Sequence, residues 1–116
     1  MGISYEGIGE WCATFGCGKV KEGDVVKVSA NGSADVCGAG DSFCGVVRAI
    51  ARDGKACSVQ LGGIATVNYS GENAPIPGYG KLSADAAGGV SVDASKGREY
   101  LILAADSAAK TVTIKL

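Results

Sequence analysis

A chain of 116 residues with 47% hydrophobic and 20% charged side chains has room for one globular domain and is too apolar to remain disordered. Its formal charge of -1, with acids and bases scattered along the chain, excludes the basic footprint that a nucleic-acid surface requires. Apolar runs such as Leu101–Ala105 are far too short to cross a bilayer, and the absence of histidine excludes catalytic sets built on imidazole.

The first residues, Met1-Gly2-Ile3-Ser4-Tyr5-Glu6, have neither a basic start nor an apolar core, so no secretory leader is expected and folding in a cytoplasm is. Residues 1–19 are irregular and read as a first strand or as an arm lying on a neighbour. Tyr5, Trp11 and Phe15 are the candidate partner contacts there.

Residues 20–116 read as an all-β domain, a small barrel or sandwich of short antiparallel strands and hairpins. Turn pairs recur at Asn31-Gly32, Asp53-Gly54, Gly62-Gly63, Pro77-Gly78, Gly88-Gly89 and Lys96-Gly97. Between them lie strand-length segments rich in Val, Ile, Leu, Thr and Tyr. Asn31-Gly32 would set Val26 opposite Cys37 and Val28 opposite Asp35. A two-residue turn at Asp53-Gly54 would set Ile50 against Cys57, Arg48 against Val59 and Val46 against Leu61, leaving Arg48 alone among apolar neighbours. The cleanest hairpin joins 99–105 to 110–116, with Leu103 opposite Val112 and Leu101 opposite Ile114. No internal repeat and no dividing linker is evident.

Five cysteines (Cys12, Cys17, Cys37, Cys44, Cys57) form an odd set, which argues against a disulfide framework. Only Cys12 and Cys17 approach the ligand spacing of a zinc site, so all five are expected to be small apolar side chains, and no metal or other cofactor is expected. Arg48, Lys55 and Arg98 are candidate surface contacts.

Gly38-Ala39-Gly40-Asp41-Ser42-Phe43 resembles the signature of ribokinase-type sugar kinases, in which a glycine-rich turn opens a helix and the aspartate acts as base. Phe43, Val46, Val47 and Ile50 would even fit one face of such a helix. That family, however, places the motif late in an α/β chain of about three hundred residues, so a tight turn between strands is the expectation here and no enzymatic activity is.

The strand pattern as a whole is similar to that of small capsid-associated proteins of tailed phages, the head-decoration and head-fibre base proteins of phages of gut Firmicutes. The similarity lies in Glu22–Ser29, Phe43–Val47, Val59–Val67 and Gly97–Leu101. It implies a structural protein of the virion, displayed on the capsid surface, bound to the lattice of the major capsid protein and trimeric with itself. The alternative reading is a small β-barrel module for a peptide, glycan or other ligand, with an aromatic patch drawn from Tyr5, Trp11, Tyr69 and Tyr79.

Overall fold

The computed structural model describes residues 11–116 of the chain. It is all-β, with ten strands and no helix among the described residues: β1 Trp11–Cys17, β2 Val25–Ala30, β3 Ser33–Val36, β4 Gly45–Ile50, β5 Ala56–Gly62, β6 Ile64–Ser70, β7 Gly78–Ala84, β8 Val90–Val92, β9 Arg98–Asp106 and β10 Thr111–Lys115. The strands close into two five-stranded barrels, one from each half of the chain. Closure leaves neither barrel an open sheet edge to be managed.

The two barrels have the same topology, which corrects the expectation of no internal repeat. In the first, the order round the barrel is β1-β3-β2-β4-β5, and β5 returns to β1. In the second, the order starting from β6 is β6-β8-β7-β9-β10, with β10 returning to β6. β1 runs parallel to β3 and β6 parallel to β8, while the other pairings are antiparallel. Ala13 faces Val59 and Thr14 faces Ser58, just as Ala65 faces Ile114 and Thr66 faces Thr113. Strand period and turn chemistry are shared so widely among β proteins that only pairing partners expose this repeat.

Two further corrections concern register. Ile50 does pair with Cys57, but a bulge at Arg48 then sets Val47 opposite Val59 and Val46 opposite Gln60. The extra residue turns the guanidinium outward, which removes the misfit of a charge among apolar neighbours. Leu103 occupies the matching bulge in the second barrel: on its turn side Val112 already faces Ala105 rather than Leu103, and beyond it Ile114 faces Ile102 rather than Leu101. Lys110 adopts a left-handed φ of 57° in that turn, and the pairing starts at Asp106 with Thr111. In the β2–β3 hairpin, Val26 pairs with Val36 and Val28 with Ala34, one residue from the sequence expectation.

The barrels share a wall between two cores. Strands β2 and β4 are buried on both faces: Val26 and Val47 point into the first barrel with Val20, Ala34, Cys57 and Val59. Their neighbours Val25 and Val46 point the other way, joining Phe43 and the interior of the second barrel around Leu82, Tyr100, Ile102, Val112 and Ile114. Consecutive valines at 25–26 and 46–47 are the sequence mark of strands covered on two sides. Gly45 is required in this layer because a Cβ there would lie 2.4 Å from the Gln60 carbonyl oxygen.

Phe43 binds the halves most tightly. Its ring stacks on Tyr100 with centroids 4.6 Å apart and planes 5° from parallel, and the Tyr100 hydroxyl donates to the Phe43 carbonyl at 2.6 Å. Burial also pushes the Tyr100 phenol above its ordinary pKa.

Candidate partner-binding groove

The segments joining the first two strands of each barrel have equal length, residues 18–24 and 71–77, but different surfaces. In the first, Asp24 caps the turn by accepting the Lys21 N–H at 3.0 Å, and Val20 turns inward onto the core. In the second, Pro75 is buried while Ile76 stands 78% exposed. Proline at 75 and 77 fixes φ on both sides of Ile76, so its outward position is built into the backbone.

Beside this loop lies an open groove of about 580 Å³. Leu82 and Ile102 form its buried floor, and Tyr79 (74% exposed) and Val92 complete the apolar wall. Gly80 keeps the groove deep, since a Cβ there would come within 3.0 Å of the Ile102 Cδ1 atom. Glu72 and Lys81 give the rim one charge of each sign. The Lys110 ammonium, lying 5.0 Å from the centre of the Tyr69 ring, donates to the Gly71 carbonyl at 3.0 Å and anchors the start of the loop. Exposed apolar side chains gathered on a rigid frame are the usual signature of a contact surface.

The residues singled out from sequence fall elsewhere or at the margin. Trp11 is 68% exposed and lies against Gly62 at the start of β1. Phe15 is half-buried against the first barrel's core. Tyr5 lies outside the described residues. Among the described members of the aromatic set, Tyr69 is buried and Tyr79 lines the groove. Arg98 covers the Tyr100 ring at 5.2 Å. Sequence reasoning passed over Ile76 and Val92, although the two prolines of the chain bracket Ile76 and marked the spot.

Gly38–Phe43 forms a brace between barrels. Gly40 N–H donates to the Ala84 carbonyl and Ala84 N–H to the Asp41 carbonyl, each at 2.9 Å. The Asp41 carboxylate takes the Lys27 ammonium at 2.6 Å and the Gly38 N–H at 2.8 Å, and these two contacts, in that order, hold its pKa below the ordinary carboxylate range. The residues after the motif form β4 rather than a helix. Both side-chain contacts of Asp41 are accepted by Oδ2 and tie it to the brace.

Of the cysteines, Cys37 and Cys57 are buried, Cys17 and Cys44 partly so, and Cys12 is exposed. Burial is the main cause that raises the Cys37 thiol to about 11. Among the described residues, no three His, Cys, Asp or Glu side chains gather as a metal site would require. No protein-family model matches the sequence, and comparison with curated proteins finds no match.

Proposed function

We propose that this protein is a non-enzymatic structural part of a phage virion that docks on the assembled lattice of the major capsid protein. The observation that carries the reading is the Ile76–Tyr79–Val92 groove, an apolar contact face held on two fused barrels. A decoration protein needs a rigid body and a preformed face, because affinity lost to ordering on binding is then small. Self-association as a trimer would multiply one modest contact into a firm attachment.

The test is co-sedimentation with assembled capsids of its phage, alongside free major capsid protein as control. Stoichiometric binding to the lattice, weakened at least tenfold by Ile76→Ser with Tyr79→Ser, supports the proposal. A monomer that stays in the supernatant overturns it. The same groove also suits a short apolar peptide, and a monomer that binds such a segment there would favour that second reading.

A further inference from the structure

The pairing of β1 with β5 sets two cysteines on one face of adjoining strands. Phe15 is opposite Cys57, so Cys17, two residues on, points to the same inner face as the diagonal neighbour of Cys57. Both belong to the first barrel's apolar cluster, Cys57 as a core member and Cys17 at its margin. Their backbone is held in place: Cys17 N–H donates to the Lys55 carbonyl at 3.1 Å, and on its other side Cys17 pairs with Ala34 of β3. The Cys17 thiol donates to the Gly54 carbonyl at 3.8 Å, and the Cys57 thiol lies within electrostatic reach of the Cys17 thiol. Cys17 is the more exposed of the two and is the atom a reagent reaches first.

We infer that Cys17 and Cys57 are a redox-responsive pair that closes to a disulfide across the β1–β5 seam when the folded protein meets a disulfide donor. The Cys17 thiolate attacks one sulfur of the donor, whose S–S bond breaks and releases one thiol. Cys57 then gives its proton to solvent and attacks the Cys17 sulfur of the mixed disulfide, expelling the second thiol. Two cysteine thiols are oxidised and one donor disulfide is reduced to two thiols, so atoms and electrons balance. Burial and the neighbouring Cys17 thiol push the Cys57 pKa up to about 11, so the second step is the slow one and accelerates as pH rises. Closure encircles β2, β3 and β4 and restricts the unfolded chain more than the folded barrel.

The experiment treats the folded full chain with glutathione disulfide, alkylates remaining thiols and maps linkages by mass spectrometry without reduction. The expected product is an intramolecular Cys17–Cys57 link, formed faster at pH 9 than at pH 7, with a melting temperature raised by roughly 10 °C. Cys17→Ser and Cys57→Ser should each abolish the link and the shift, while Cys12→Ser leaves both intact. Circular dichroism of each variant verifies that it is folded. A stable glutathione adduct at Cys17 with no link to Cys57, or links only through Cys12 between molecules, would overturn the inference.

Discussion

The two barrels share one topology and even one bulge position, yet they are finished differently. The first closes its 18–24 segment with Val20 turned inward, and its β2–β4 wall is covered by its twin. The second buries Pro75 but turns Ile76 outward beside a groove. A repeated scaffold thus acts as its own control. What is common to both barrels is what the fold needs, and what differs is where function is free to settle.

The sharpest way to break the comparison is to cut the join. Phe43→Ala should cost about 3–5 kcal/mol by leaving a cavity against Tyr100. If the barrels are one cooperative body, Trp11 fluorescence from the first and circular dichroism from the whole chain will shift to lower urea together. Separate transitions would show two independent units.

Next in size is Gln60, the fully buried residue of β5 whose Nε2 donates to the Gly62 and Ile64 carbonyls, each at 3.0 Å, where one barrel passes into the other. Gln60→Met takes one donor from each carbonyl but also removes the buried Oε1 atom, which has no partner. The net loss should be about 1–2 kcal/mol by chemical denaturation. Tyr100→Phe, which deletes only the hydroxyl bond to Phe43, should cost about 1 kcal/mol.

Exchanging residues 71–77 for the sequence of 18–24 asks whether the loops are the only functional difference. Stability should change by less than about 1 kcal/mol, and the capsid binding proposed above should be lost. The smallest effect is on the acid limb. Asp41 and Asp93 both have folded pKa values below the ordinary 3.8, Asp41 through Lys27 and Asp93 chiefly through the Lys96 N–H. Their stabilisation is therefore present above pH 4 and lost as pH falls through the folded values. Asp41→Asn, which loosens the brace between barrels, and Asp93→Asn, which loosens a turn within the second, should each flatten that limb in an acid titration.

The β class was legible in turn pairs and valine-rich runs, and the end of one hairpin followed from Asp53-Gly54. The rest of that register was not, because a bulge at Arg48 is one residue with no fixed chemistry of its own, and the β9–β10 register was not, because its turn takes in a left-handed Lys110. Arg48 did leave a trace, as a charge on the apolar face of an otherwise good hairpin. The repeat was hidden because equivalent core positions keep burial rather than identity, as with Val59 and Ile114, or Cys57 and Val112. The groove was half-legible: Tyr79 was picked for its ring, but Ile76 is conspicuous only once Pro75 is known to be buried.

The two-sided strands β2 and β4 also set a timetable. The first half leaves the ribosome with Val25, Phe43 and Val46 directed at a core that has not yet been made. Until the second half arrives, that wall is wet and adhesive, and the nascent chain is exposed to mispairing for the time that roughly fifty more residues take to emerge. A fragment ending at Gly63 should accordingly aggregate, and supplying residues 64–116 in trans should rescue it. The second barrel is thus the cover over the apolar wall of the first.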